Sequence, residues 1–131
     1  MTPTLDRKKQ QTQNNPICKL CSSQLQEDEK HIFLNCPAVL STKQTLKLII
    51  DATTQTDTDI DSAITLFKIP RNKNKLKHTL NILTLAEYKQ HIWTIYLKTR
   101  YEHKHFPPDI IQDIFRYKLE VLLNKHQPPI Q

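Results

Sequence analysis

The sequence predicts a mainly α protein: an N-terminal cysteine segment followed by a helical bundle of about four helices, one of them long. Three observations support this fold class. None of the 131 residues is glycine, the residue that tight β-hairpins most often need. Apolar residues recur at helical spacing from Ala38 onwards. Prolines fall between these periodic runs and not within them, as expected for helix boundaries.

The chain divides into three parts, and its length fits one domain with one hydrophobic core. Residues 1–15 are polar, basic and rich in Gln and Asn, and they predict a disordered tail. Residues 16–37 contain all three cysteines of the chain. Residues 38–126 form the helical region, which we expect to pack with the cysteine segment as one domain.

The helical region is predicted to begin with two short helices, over 38–51 and about 59–69. A polar loop, residues 52–58, separates them, and Pro70 ends the second helix. Three residues could cap the start of that second helix through a side-chain oxygen: Asp57, Thr58 and Asp59.

A basic connector, residues 71–77, leads into the longest periodic segment, about 75–104. At ~1.5 Å per residue such a helix would extend ~45 Å, so other elements must pack along both of its halves. The segment 106–109 ends it, and Pro108 suits the first turn of a last helix, which runs to Lys125. Six residues at helical spacing are expected in the core: Leu80, Leu83, Trp93, Tyr96, Phe115 and Leu119.

The cysteine segment contains four metal-ligating residues with short spacings, Cys18-x2-Cys21-x9-His31-x4-Cys36. Thiolate sulfur and imidazole nitrogen are the ligands that zinc prefers, and three cysteines with one histidine form a closed structural set. The segment therefore predicts an N-terminal Cys3His zinc knuckle that holds one structural Zn²⁺. A small β-turn or hairpin in the knuckle is compatible with this spacing.

Two alternatives apply to the same residues, namely reduced cysteines beside a surface histidine, or a catalytic thiol. A catalytic zinc keeps an open coordination position, and four protein ligands would close it. We find neither a nucleophile–base pair nor paired carboxylates. The sequence therefore predicts no enzyme activity and no small-molecule substrate.

His31 and Cys36 cannot share one face of an α-helix, since five residues correspond to a rotation of ~500°. We therefore expect one helical turn from about residue 27 or 29 to 34. Cys36 would lie just past its end, where Pro37 turns the chain out of the helix. Two carboxylates are candidate acceptors for the second ring N–H of His31: Asp28 and Glu27.

This segment resembles the zinc-binding module C-terminal to the reverse transcriptase domain of non-LTR (LINE-type) retrotransposon proteins. That family has a Cys-x2-Cys pair, an acidic Glu-Thr-x-x-His stretch, and His-x4-Cys often followed by Pro. The matching residues here are Cys18, Cys21, Glu27-Asp28-Glu29-Lys30-His31, Ile32, Phe33, Cys36 and Pro37. Asp28 replaces the usual Thr, and Ser22 stands where Gly is frequent. Neither difference removes a ligand.

The resemblance implies nucleic-acid binding that helps to seat RNA or target DNA, without polymerase activity. The stretch LAEYKQHIWTIYLKTRYEHKHF is similar in kind to the long helix behind the family's zinc segment. No Tyr/Phe-x-Asp-Asp segment of a polymerase is present. A retroviral zinc knuckle has the same two half-sites, but its spacer is much shorter than the nine residues found here.

The basic residues are clustered, in a chain with 19 Lys and Arg, 13 Asp and Glu, and a formal net charge of +6. One cluster surrounds the connector: Lys68, Arg71, Lys73, Lys75 and Lys77. A second lies near the end of the long helix: Lys98, Arg100 and Lys104. Such clusters bind a phosphate backbone by counterion release, and their alternative interpretation is ordinary solvated helix surface.

We therefore predict a zinc-stabilised nucleic-acid-binding module with RNA or DNA as its partner. The sequence does not determine its oligomeric state. A zinc-dependent protein-interaction module and a decayed retroelement fragment are the alternatives. No stretch approaches the ~20 apolar residues that cross a bilayer. An odd cysteine count and the lack of an apolar secretory segment predict an intracellular, nuclear or cytoplasmic protein without a membrane partner.

Overall fold

A computed structural model describes residues 18–21 and 28–125 of the chain. Its architecture is mainly α, as the sequence predicted, and the described residues contain no β-strand. Four α-helices form the bundle: α1 Leu40–Thr54, α2 Ile60–Leu66, α3 Lys75–Tyr101 and α4 Pro108–Lys125. The predicted tail over 1–15 lies outside the described residues.

Two short helical turns precede α1. His31–Asn35 forms a π-helical turn, and Pro37–Val39 forms a 3₁₀ turn that leads directly into α1. The expected single helical turn before Cys36 is therefore confirmed. The Cys-x2-Cys half of the segment forms a turn over 19–21, so the hairpin alternative finds no strand among the described residues.

Helix ends in this chain are formed without glycine. Gln55 ends α1 in the left-handed region, with φ of 58°, and its N–H donates to the Asp51 carbonyl oxygen over 2.7 Å. Phe67 ends α2 in the same way, with φ of 53°. Glycine or asparagine usually takes this position. The turn at Phe67 also explains why α2 stops at Leu66, before the predicted boundary at 69.

Two helix starts use side-chain caps, of which the sequence predicted the one at α2. The Asp59 carboxylate accepts the Ser62 N–H over 3.2 Å, which confirms one of the three predicted caps of α2. Asn74 accepts the Lys77 N–H over 3.1 Å at the start of α3. Both caps satisfy N–H groups that the first helical turn leaves unpaired.

The 27 residues of α3 are packed along both halves, as its length requires. The helices α1 and α4 and the π-helical turn all contact it. Its buried side chains lie on several sides of the helix instead of one stripe: Asn81, Thr84, Leu85, Tyr88, His91, Ile92, Ile95 and Tyr96.

The core prediction was right for Tyr96, Phe115 and Leu119, which are buried, and wrong for Trp93. Trp93 is 45% exposed. It lies at the edge where α3 meets the π-helical turn, and its ring centroid is 5.1 Å from that of Tyr96. The partner elements reach the neighbouring positions of α3 and leave the indole at the surface. Leu80 and Leu83 are half-buried.

Tyr88 joins α3 to the π-helical turn. Its side chain is fully buried, and its hydroxyl donates a 2.8 Å hydrogen bond to the Phe33 carbonyl oxygen. Its ring meets Phe115 of α4 edge-on, with centroids 5.8 Å apart. One side chain therefore connects the cysteine segment with two helices of the bundle.

His91 joins α3 to α4. Its ring is fully buried, Nε2 donates to the Ile111 carbonyl oxygen over 2.8 Å, and Nδ1 accepts from the Lys118 ammonium over 3.2 Å. The ring also stacks on Phe115, with centroids 5.8 Å apart. Burial lowers the pKa of His91 to about 4, and the positive charge of Lys118 acts in the same direction. The ring is therefore neutral at pH 7.

We expect Tyr88→Phe to lower the free energy of unfolding by about 1–2 kcal/mol. The substitution keeps the ring but leaves the buried Phe33 carbonyl without its donor. Denaturant unfolding of the metal-loaded protein measures this change. Tyr117→Phe is the matched control, since that tyrosine is exposed, and it should change stability by less than about 0.5 kcal/mol. Equal effects of the two substitutions would show that the hydrogen bond from Tyr88 to the Phe33 carbonyl does not stabilise the fold.

We expect the stability contribution of neutral His91 to be complete above its unfolded-state pKa of ~6.5 and to be lost as the pH falls towards about 4. Over this range the imidazole binds a proton in the unfolded chain but not in the folded one. This lowers the free energy of unfolding by up to about 3 kcal/mol. We would measure the unfolding free energies of wild type and His91→Gln from about pH 7 to about pH 4. The difference between the two proteins should shrink by that amount, because the variant has no imidazole to titrate. Loss of any bound metal at low pH would affect both proteins equally and cancel in the difference. Parallel pH profiles would refute a buried neutral imidazole.

Candidate metal centre

The four predicted ligands come from two short pieces of chain. Cys18 precedes the turn at the start of the described residues, and Cys21 is its last residue. His31 begins the π-helical turn, and Cys36 follows its last residue. The local sequence thus supplies two ligand pairs that face each other across the same small volume.

The π-helical turn explains how His31 and Cys36 meet. The Cys36 N–H donates to the His31 carbonyl oxygen over 2.7 Å, a bond between residues five apart. Such a turn holds about 4.4 residues, so five residues rotate by about 410° and end near their starting direction. Five residues of α-helix would have turned the two side chains apart. Pro37 then continues the chain into the 3₁₀ turn.

The ligand atoms form one compact group. The Sγ atoms of Cys18 and Cys36 are 3.8 Å apart, and Cys21 Sγ is 3.4 Å from His31 Nε2. All four atoms lie within 4.8 Å of one another, and three of the four residues are buried. The sulfur separation is far longer than the ~2.05 Å of a disulfide, and all three cysteines are free. This cluster could hold one metal ion.

The electrostatics of the cluster favour a cation. The hydrogen bond between the two sulfurs lowers the pKa of Cys18. The same bond, together with burial, raises the pKa of Cys36. A bound metal ion would stabilise both residues as thiolates.

Asp28 organises the turn through the main chain. Its carboxylate accepts the His31 N–H over 2.7 Å, and its carbonyl oxygen accepts the Ile32 N–H over 2.9 Å. The predicted bond from Asp28 to the His31 ring is replaced by this bond to the backbone, which caps the start of the turn. Glu27, the other predicted acceptor, lies outside the described residues.

The cluster is attached to the helical bundle by buried apolar side chains. Leu20, Ile32 and Phe33 are buried in the common core. Lys43 of α1 donates to the Leu34 carbonyl oxygen over 2.8 Å, in addition to the bond from Tyr88 to Phe33. The position of the ligands is therefore set by the helices as well as by the local turn.

The first predicted basic cluster is placed as one exposed group. Lys68, Arg71, Lys73, Lys75 and Lys77 are all exposed, on the connector and the first turn of α3. Asn72 fixes the connector, since its side chain donates to the Thr53 carbonyl oxygen over 3.0 Å. A concavity of about 480 Å³ opens there, lined by Arg71, Asn72, Lys73, Lys75, His78 and Thr79.

The second predicted basic cluster is engaged in local contacts. Arg100 donates to the Tyr96 hydroxyl over 3.0 Å and lies over the Tyr101 ring at 5.6 Å. Lys104 pairs with Glu102 over 3.4 Å, and Lys98 is half-buried. The two basic clusters lie at opposite ends of α3, about 35–40 Å apart. The structure does not bring them together.

Comparisons with protein-family models, curated proteins and solved structures found no match for this chain. Among the helices described, none combines the length and the apolar character needed to cross a membrane. Functional conclusions therefore depend on the residues themselves.

We expect His31→Asn to weaken binding of Co²⁺, used as a spectroscopic probe, by about a hundredfold or more, because it removes one of four ligands. The thiolate-to-cobalt absorption during titration under reducing conditions measures this change. His105→Asn is the matched control, since His105 is exposed and lies outside the cluster. Unchanged cobalt affinity in His31→Asn would show that the histidine is not a ligand.

Proposed function

We propose that this chain is a zinc-stabilised nucleic-acid-binding module without enzyme activity. The observation that carries the nucleic-acid part is the exposed cluster of five cations over 68–77. The observation that carries the metal part is the closed set of three sulfurs and one imidazole nitrogen.

Zinc is the metal that this ligand set fits best. With Zn–S of about 2.3 Å and Zn–N of about 2.0–2.1 Å, a tetrahedron has S···S edges of about 3.8 Å and S···N edges of about 3.6 Å. The separations of 3.8 Å between Cys18 and Cys36 and of 3.4 Å between Cys21 and His31 agree with those edges. Four protein ligands leave no position for a reacting water, so the proposed role is structural.

The charge distribution supports a phosphate-bearing partner. Residues 68–77 contain five cations and no acid. None of these cations forms an ion pair with any residue in the described ranges. Three acids of the α1–α2 region are ion-paired instead, because Asp51 and Asp57 pair with Lys47 and Asp61 pairs with Lys43. The positive potential of the connector is thus uncompensated at short range.

The connector suits contact with a sugar–phosphate backbone. Its concavity presents the side chains of Arg71, Lys73 and Lys75 on one side of the molecule. Lys and Arg contacts to phosphate position the nucleic acid and carry little sequence information. We therefore propose phosphate-directed binding of RNA or DNA, in keeping with the resemblance to the retrotransposon zinc module. The second cluster would add contacts only for a ligand that extends along α3.

We expect single-stranded RNA to bind at about 50 mM salt, with an affinity that falls linearly in log–log form as salt rises. Fluorescence anisotropy across a salt series measures both quantities. Arg71→Glu should weaken binding at low salt by about tenfold and make the slope shallower by about one.

The control for that measurement is Arg116→Glu, which makes the same charge change at an exposed position on α4. It should lower affinity by less than about threefold, because Arg116 belongs to α4 and does not line the concavity of the connector. Absence of binding at low salt, a flat salt dependence, or equal losses in the two variants would each reject phosphate binding at the connector.

A further inference from the structure

Helix α4 carries two apolar stripes, and the bundle uses only one of them. Ile111, Phe115 and Leu119 are buried against the other helices. On another side of α4, Ile110, Tyr117 and Val121 are 40%, 67% and 46% exposed. Ile114 lies between them and is half-buried. An outward row of four large apolar side chains on one helix requires an explanation beyond folding of the monomer.

The spacing of this outward row is that of a heptad seam. Its members follow one another at intervals of four, three and four residues, so Ile114 and Val121 take the a positions, and Ile110 and Tyr117 take the d positions. Asn124 is the next d residue. Both a residues are β-branched, as at the a positions of many two-stranded parallel coiled coils, whereas the d positions hold Ile, Tyr and Asn instead of the usual Leu.

The charges beside the seam select the direction of pairing. The g positions are Asp113 and Glu120, and the e positions that they would face in a parallel partner are Lys118 and Lys125. Both interchain pairs are therefore of opposite charge. An antiparallel partner would place the acidic edges opposite each other and the basic edges opposite each other, which is unfavourable.

The four charged side chains at the g and e positions differ in how freely they could form interchain ion pairs. Asp113, Glu120 and Lys125 are exposed and have no ion-pair partner in the described part of the chain. Lys118 is half-buried and donates to the His91 ring over 3.2 Å. That contact uses only one of the three ammonium hydrogens, and the others remain able to meet an acid of a second copy.

We infer that α4 forms a parallel, two-fold symmetric pair with α4 of a second copy of this chain. The surface is self-complementary, so one patch serves both partners. The seam spans two heptads, about 21 Å of helix, which indicates a concentration-dependent dimer and not a permanent one. The inference is independent of nucleic-acid binding at the connector, which lies on other elements.

Sedimentation equilibrium of the zinc-loaded, reduced protein tests this inference. Between about 1 μM and about 1 mM the mass should rise from 15.4 kDa towards twice that value. Tyr117→Lys combined with Val121→Lys should keep the mass of one chain throughout. Leu48→Lys replaces a residue of α1 that is 59% exposed, and this control should associate as the wild type does. A monomeric wild type at the highest concentration, or unchanged association in the double variant, would overturn the inference.

A charge exchange tests the parallel direction. Glu120→Lys places like charges at two symmetric g–e contacts and should raise the dimer dissociation constant by about fivefold to tenfold. Glu120→Lys with Lys125→Glu should restore it, since the exchanged pair is again of opposite charge. In an antiparallel dimer Glu120→Lys would remove repulsion between acids and tighten association, so that result would refute parallel pairing.

Discussion

The hydrogen bond from Tyr88 to the Phe33 carbonyl is the contact on which the arrangement of this molecule depends most. It is buried, it spans 55 positions of sequence, and it fixes the turn that carries His31 and Cys36 to the centre of the long helix. A cysteine segment this short cannot bury enough apolar surface to fold alone. The geometry of the four candidate ligands therefore depends on α3. Any binding of metal by the cluster would be thermodynamically linked to the stability of the bundle.

Much of the fold follows from local signals. Pro108 and the caps at Asp59 and Asn74 determine helix starts through backbone chemistry that is readable without a structure. The four ligands follow from their spacing in the same way. The π-helical turn was not predictable, because a rotation calculated for an α-helix places His31 and Cys36 on different faces. A one-residue widening of the turn depends on packing that lies outside the segment.

The errors on α3 have a common physical origin. This helix is contacted on several sides, so its buried residues form no single stripe, and helical spacing alone assigned Trp93 to the core. The sequence pattern did not place Tyr88 and His91 in the core. A buried polar side chain is identified by its hydrogen-bond partners and not by the helical spacing of apolar residues. The partners here are carbonyl oxygens of Phe33 and Ile111, whose positions only the tertiary structure provides.

The absence of glycine has a consequence for how this fold keeps its stability. Gln55, Phe67 and His103 adopt positive φ, a conformation that costs a residue with a β-carbon roughly 1 kcal/mol or more. Three such positions together amount to a sizeable fraction of the stability of a typical small domain. The interior contacts must offset that cost. The residues that follow these helices are thus places where glycine would relieve the backbone strain.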